Sequence, residues 1–290
     1  MGTPLVSIGI PTKNRAHLLR AALASLLGQT YPHIEYIVSD NASSDDTEAV
    51  VREAMCRDAR IRYVRQSVSI SGIENFSAVL RAARGAYFMW GSDDDSWEPR
   101  FVEALVGALE TNPRYHAAMS HFYEQRVGDE KPLPTRFLTH DYTHTHWREL
   151  YQLGLMGKLT PALVYSMFRT DFIKKLYARP VPVMFNGLLL WLVELVLATP
   201  VYSVPEALHT RVQDVRPHAL RAPDAPLSRA QKDPFAITHY VCMGPVRLLS
   251  SSVIPLHRKF LIFGPWLRRA WLYKRKILLE WMRFFRTIFH

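Results

Sequence analysis

The sequence predicts an α/β fold, a mostly parallel sheet flanked by helices, with amphipathic helices at its C-terminal end. Three observations lead there. Short β-branched or aromatic runs alternate with helix-period segments through the first 113 residues, the pattern of βαβ units. Polar, acid-rich clusters close three of the strands, where open parallel sheets bind their ligands. The basic residues crowd into 251–290, a stretch with apolar residues at helical spacing.

Taken in order, "LVSIGIP" at 5–11 is a β-branched run stopped by Pro11. "NRAHLLRAALASLLGQ" at 14–29 repeats apolar residues at Leu18, Ala22 and Leu26 and ends on Gly28, a helix with its stop signal. "IEYIVSDNASSDDT" at 34–47 is a strand running into a polar loop, where Ser44 or Asp45 can cap the helix "TEAVVREAMCR". "IRYVRQ" at 61–66 and "AYFMW" at 86–90 are strands separated by the helix at 72–84. Residues 98–113 form a further helix, with Pro99 in its first turn.

Residues 115–160 read as less regular, a solvated region rich in His and Tyr. His140, His144 and His146 have no partner pattern for a metal. Residues 162–176 predict a strand leading into a helix at Asp171. The apolar stretch at 182–200 carries Glu194 and is bounded by Pro182 and Pro200, so it reads as a buried helix rather than a membrane span. "VYSVPEALHTRV" closes the region as a strand, and four prolines make 214–234 a linker.

Composition narrows the classes. The chain is 48% hydrophobic, ample for a core. Cys56 and Cys242 show no disulfide or metal spacing, which fits a reducing compartment. "MGTPLVSIGIP" lacks the pattern of a signal peptide, and Val6 argues against a myristoylation start. Of the net charge of +10, residues 251–290 hold +8, with nine Lys or Arg and one acid, Glu280. The basic character therefore belongs to the tail and asks for a tail-specific partner.

The sharpest feature is "GSDDD" at 91–95, three adjacent carboxylates directly after an apolar strand. Charges that close repel one another unless neutralised. Water does this on a simple turn; a bound cation does it in a site. Two further clusters, Pro11–Arg15 and Asp40–Asp45, fall at strand ends on the same edge and favour a site.

"VSIGIPTKNR", "IEYIVSDNASSDDT" and "GAYFMWGSDDD", in that order, resemble the inverting family 2 glycosyltransferases of the GT-A (Rossmann-like) fold, over about residues 4–212. The resemblance implies a bacterial, surface-polysaccharide or glycolipid enzyme. In that family a sugar nucleotide lies across the strand ends, and Mn²⁺ or Mg²⁺ bridges its diphosphate to an Asp-x-Asp motif. Carried over, Pro11, Thr12 and Arg15 line the nucleotide pocket. Asp40 accepts from the base, with Asn41 beside it, and Asn75 contacts donor. Asp95 and Asp93 hold the metal, and Asp93 and Asp94 meet the sugar. The resemblance favours a UDP-sugar over a GDP- or dTDP-sugar. With the resemblance over the first part and the sequence pattern over the rest, the chain is expected to divide into a catalytic domain at 1–213, a Pro-rich linker at 214–234 and a basic, membrane-associating helical region at 235–290.

One part is missing. The acceptor's proton needs a base, and the family's carboxylate would stand near Asn186, where the sequence reads Asn-Gly-Leu. The base could come from Asp214 or Glu206; the correspondence across this apolar segment could be off by several residues; or the chain could be a silent sugar-nucleotide-binding subunit. A nucleotidyltransferase is disfavoured because no Gly-rich phosphate loop follows the first strand.

From Pro265 onward one helical arc of about 160° is almost wholly apolar, with Lys274 its one intruder, and the next is basic. Packing on the domain or on a second subunit would hide such a face, and homo-oligomers through it stay open. An in-plane helix on an anionic membrane accounts for both arcs, with Trp266, Trp271, Trp281 and Phe285 at the headgroups. Arg268, Arg269, Lys274, Arg275, Lys276, Arg283 and Arg286 then meet lipid phosphates. Nucleic acid would accept the charge but not the apolar face. With the family, this implies a peripheral protein on the cytoplasmic face of the inner membrane acting on a lipid-linked glycan.

Overall fold

Val6–Thr12 (β1) is the strand around which the N-terminal part is built, and all seven of its residues are buried. In the computed structural model, which describes residues 2–127, 136–138, 141–179, 187–214 and 235–289, β1 pairs in parallel with Ile34–Asp40 (β2) and Tyr87–Trp90 (β4). Ile61–Arg65 (β3) adds to the far side of β2. The sheet holds nine strands among the described residues. Beyond β4 it continues through Met167–Arg169 (β8), Ala117–Val127 (β6), Val201–Asp214 (β9) and Ser96–Trp97 (β5), while Arg136–Leu138 (β7) pairs with β6. The joins of β8 to β4 and to β6 are antiparallel, whereas β6 and β9 run parallel.

The helices predicted between the first strands are present. Ala16–Leu27 (α1) buries Leu19, Ala22, Leu23 and Leu26, and Gly28 closes it. Thr47–Arg57 (α2) buries Val50 and Val51. Asp45 receives the Thr47 amide at 3.1 Å and the Ala16 amide at 3.0 Å, tying the starts of α1 and α2 together. Gly72–Ala82 (α3) is capped by Ser71, whose hydroxyl accepts from the Glu74 amide at 3.1 Å. It can press onto β1 because Gly9 has no side chain; a Cβ there would lie 2.7 Å from Val79. Phe101–Thr111 (α4) buries five residues, Leu105 and Leu109 among them.

The region read as irregular contains β6. Ala118 and Phe122 are buried, but the buried polar Ser120 between them and the polar residues after Tyr123 hide the alternation. Glu124 is satisfied by Arg211 of β9 at 3.3 Å. His144 bonds Asp141, and His146 caps Trp147–Leu155 (α5) by accepting from the Arg148 amide, so both act locally. His140 lies outside the described residues. Pro161–Tyr165 forms a short 3-10 turn, and Thr170–Tyr177 (α6) follows β8 as predicted.

The chain divides into two compact units. The first comprises Met1–His144, Ala162–Tyr177 and Pro200–Arg221, and the second Thr145–Pro161, Ala178–Thr199 and Ala222–His290. The second unit thus draws α5 and Gly187–Ala198 (α7) together with the helices Ala236–Leu249 (α8), Leu256–Lys259 (α9) and Phe263–Phe289 (α10). The apolar helix α7 is buried on nearly every side, as its composition predicts. No helix among the described residues is long and apolar enough to cross a membrane. The predicted linker falls almost wholly on 215–234, outside the described residues.

Tail residues separate by face. Trp266 is buried beneath Gly244 of α8, where a Cβ would lie 2.1 Å from its ring, so it cannot meet a surface. Arg269 sits over Tyr273, and Trp281 packs on Phe235. Trp271, Arg268, Lys274, Arg275, Lys276, Arg283 and Arg286 are exposed. The side chain of Phe285 lies outside the described part.

Glu194 is an acid at the centre of α7, 1% exposed, held by Arg247 of α8 at 2.7 Å. Burial pulls Arg247 below the usual guanidinium range, and Glu194 works against that. Removing one member of a buried pair leaves the other charge uncompensated. Glu194→Ala is expected to lower unfolding free energy by about 3 kcal/mol in urea denaturation, and Glu194→Gln by less.

Candidate active site

Parallel pairing brings the carboxyl ends of β1 and β2 side by side, with Thr12 opposite Asp40. The chain leaving β4 bonds Gly91 N–H to the Gly9 carbonyl at 2.9 Å and then turns, so the Asp run meets the end of β1. A cavity of about 510 Å³ opens there. Pro11, Thr12, Arg15, Asn41, Asn75, Asp93 and Asp94 line it, as do Lys13, Ile70, Phe76 and Tyr165.

Arg15 is the centre of charge. One guanidinium nitrogen, Nη1, donates to Asp93 Oδ1 at 3.0 Å and to Asp94 Oδ2 at 2.7 Å. Thr12 Oγ1 donates to the other oxygen of Asp93 at 2.8 Å, and the Ser92 hydroxyl donates to Asp94 Oδ1. Burial raises Asp93 above the usual carboxylate range; Arg15 and Thr12 oppose the rise without cancelling it. Arg15 is held above its ordinary value: burial works against its charge, and the two carboxylates outweigh burial. Burial, then the charge of Asp95, pushes the Tyr165 phenol up to about 12.

The polar floor is knit by amides. Asn75 accepts from Ser39 Oγ at 2.7 Å and donates to the Ser39 carbonyl at 3.1 Å, joining α3 to β2. Asn41 pairs with both backbone groups of Ile70, at 2.7 and 2.8 Å, and so fixes the loop before α3 against the cavity. Asn14 and Ala42 take left-handed backbone at φ 53° and 55°, giving the tight turns that leave β1 and β2.

Two carboxylates that the sequence assigned to ligand contact do not line the cavity. Asp40 is fully buried. Its oxygens accept from the Ser43 amide at 2.9 Å and the Tyr63 hydroxyl at 2.7 Å, so its neighbour Asn41 is the one facing the cavity. Asp95 is turned inward, with Oδ2 3.0 Å from His209 Nε2 and Oδ1 accepting from the Val212 amide at 2.8 Å. His209 stacks on Trp97, so Asp95 anchors the Asp loop to β9. Asp94 takes the exposed place instead.

Among base candidates, Glu206 of β9 pairs with Arg100 at 3.6 Å and does not line the cavity. Asp214 ends β9 opposite Val127. Asn186 lies outside the described residues. The sequence reading passed over Lys13, Ile70, Phe76 and Tyr165. Lys13 stands inside the quoted "PTKNR" and Phe76 beside Asn75, so their signal was adjacency. Tyr165 had none, because only the tertiary fold brings it to the Asp loop.

The acid–arginine cluster lies at the carboxyl ends of parallel strands, where open α/β sheets bind their ligands. The family description Glycosyl transferase family 2 matches residues 7–176, and the chain belongs to that family. The GalNAc(5)-diNAcBac-PP-undecaprenol beta-1,3-glucosyltransferase of Campylobacter jejuni is 38% identical over 109 residues, 37% of this chain and 33% of that protein. The chain spans about a third or less of the length of the first curated relatives it matches. Staphylococcus aureus TarS 1-349 in complex with UDP-GlcNAc shares the fold at a TM-score of 0.65 and 15% identity, over 93% of this chain and 73% of that one. The Pyrobaculum calidifontis mannosyltransferase PcManGT, in complex with GDP-Man and Mn²⁺, aligns at a TM-score of 0.51 and 16% identity, over 97% and 86%.

Because Asp93 is raised, its protonated form is favoured by folding, and stability falls as pH rises from the unfolded carboxylate pKa through the folded one. Asp93→Asn removes that cost. Thermal unfolding is expected to find the variant more stable than the parent at neutral pH, with the gap closing as the pH drops toward 4 and below.

Proposed function

We propose that this chain transfers a sugar, with inversion, from a nucleotide-diphosphate donor to a lipid-linked glycan, and that UDP is the nucleotide. The observation that carries the reading is the pair Asp93 and Asp94 gathered on Arg15 at the mouth of β1. Family membership and the undecaprenol-linked acceptor in the Campylobacter relative's name support it.

A divalent cation fits this pair. Among the described residues no three His, Cys, Asp or Glu side chains gather as a metal set. Mg²⁺ and Mn²⁺ sites that bind phosphates commonly use only one or two carboxylates and take their other oxygens from substrate and water. Asp94 and Asp93 would hold the ion, and when bound it supplies positive charge against the departing diphosphate. Arg15, 46% exposed, can turn from the carboxylates toward phosphate, and Lys13, now on Ser69 at 2.7 Å, is placed to add a second cation. Asn41, Ile70 and Phe76 are left for the nucleoside, where Phe76 offers an aromatic face and the Ile70 loop a wall.

In an inverting transfer the acceptor oxygen bonds to the anomeric carbon as the bond to diphosphate breaks, and the hydroxyl proton passes to a base. Asp214 and Glu206, the latter in an exposed ion pair with Arg100, are the sequence candidates for that step. The cytoplasmic face of the inner membrane is the proposed place of work, and the undecaprenol-linked acceptor in the relative's name supports it.

Titration calorimetry of UDP and GDP, each with Mn²⁺ and with chelator, tests the reading. UDP binding should require the metal and weaken at least about tenfold in Asp94→Ala. UDP-sugar turnover should fall by about 10²-fold or more. Binding that ignores both the metal and the substitution would remove the site from the proposal. Binding without turnover would leave the silent-subunit reading.

A further inference from the structure

The apolar arc of α10 is only partly covered, because α8 lies over one edge of it. On the covered side Trp266 is 3% exposed and donates its indole N–H to the Val241 carbonyl at 3.0 Å. Glu280, the helix's single acid, accepts the Ile237 and Thr238 amides at 2.8 and 3.0 Å, capping the start of α8. On the other side Leu267, Trp271, Leu278 and Met282 fall within an arc of about 60°, exposed by 59%, 63%, 60% and 44%. Arg268, Arg275 and Arg286 form the adjoining row, all exposed. Lys274, which interrupts the apolar arc, lays its ammonium 3.7 Å from the centre of the Trp271 ring, so its charge is carried on an aromatic face.

We propose that this face docks in the plane of an anionic lipid bilayer, with the apolar line at the acyl boundary and the Arg row on lipid phosphates. The charge pattern selects the occupant. A second copy of α10 would bring a row of cations against a row of cations, and the acid that could answer them is already spent on α8. Nucleic acid would meet the Arg row and leave the Leu and Trp line in water. A bilayer with acidic headgroups answers both at once, and a 27-residue helix offers a strip of about 40 Å. Phe260, 78% exposed just before α10, extends the same chemistry. Docking here rests on the membrane-side acceptor for its purpose, while its test reads vesicle binding rather than sugar transfer.

The full chain is sedimented with phosphatidylglycerol-containing vesicles and, separately, with phosphatidylcholine alone. The expected result is binding to the first that high salt largely releases, and little to the second. Trp271→Ser with Leu278→Ser should reduce the affinity about tenfold or more, and neutralising Arg268, Arg275 and Arg286 to Gln should erase the preference for acidic lipid. All five positions are exposed, so thermal unfolding should not change; if the double variant melts early, the Arg variant decides. Absent vesicle binding, equal binding by the variants, or a dimer in solution that the double variant dissociates would each overturn the proposal. UDP titration of the same samples keeps a failed docking face distinct from a failed nucleotide site.

Discussion

The fold of the first unit depends on how its buried carboxylates are neutralised. Asp40 and Asp95 have partners inside the protein: Ser43 N–H and Tyr63 for the one, His209 and Val212 N–H for the other. Asp93 and Asp94 share a guanidinium that is nearly half exposed. Fixed internal partners cannot be exchanged without breaking the fold, whereas an arginine on the solvent side can be. The acids are thereby sorted: two hold β2 and the Asp loop in place, and two keep a negative charge at the cavity. Burial still outweighs the compensation at Asp93, so the charge is kept at some expense to stability.

That sorting was only partly legible in the sequence. Apart from the two-residue β5, the strands and helices from Val6 to Thr111 could be read because their apolar periodicities are clean and Pro, Gly and Asp mark their ends. Three clusters at the strand ends correctly located the cavity. Which acid of each cluster points outward could not be read, because adjacent residues in a turn differ only by backbone direction. Asn41 lines the cavity in exchange for Asp40, and Asp94 in exchange for Asp95, although the sequence assigned all four to the ligand. Ala42 at positive φ turns the chain just where the first exchange occurs.

Elsewhere the sequence signal failed for a different reason. The later residues of β6, from Tyr123 to Arg126, are polar or carry a polar group and are paired across the strands, as Glu124 is with Arg211, so the strand looked like a solvated loop. Its partner is β9, far along the chain, and no local pattern records that pairing. Tyr165 reaches the cavity by the same long-range route. In contrast, Glu194 stood out because an acid in the middle of "LLLWLVELVLA" has to be compensated by something, and Arg247 is that partner.

The tail shows why hydrophobic patterning alone underdetermines a helix. Its apolar and basic arcs admitted both packing and surface docking as readings. In the structure Trp266 and Glu280 hold α10 on α8, while Trp271 and Leu278 face solvent. A helix serving only the core would gain nothing from Leu and Trp on its outer line, and one serving only solubility would carry its charges there. The outer line is apolar, its flank is cationic, and its one acid is turned inward. Each of these departs from an ordinary solvated face in the direction that an acidic lipid surface rewards.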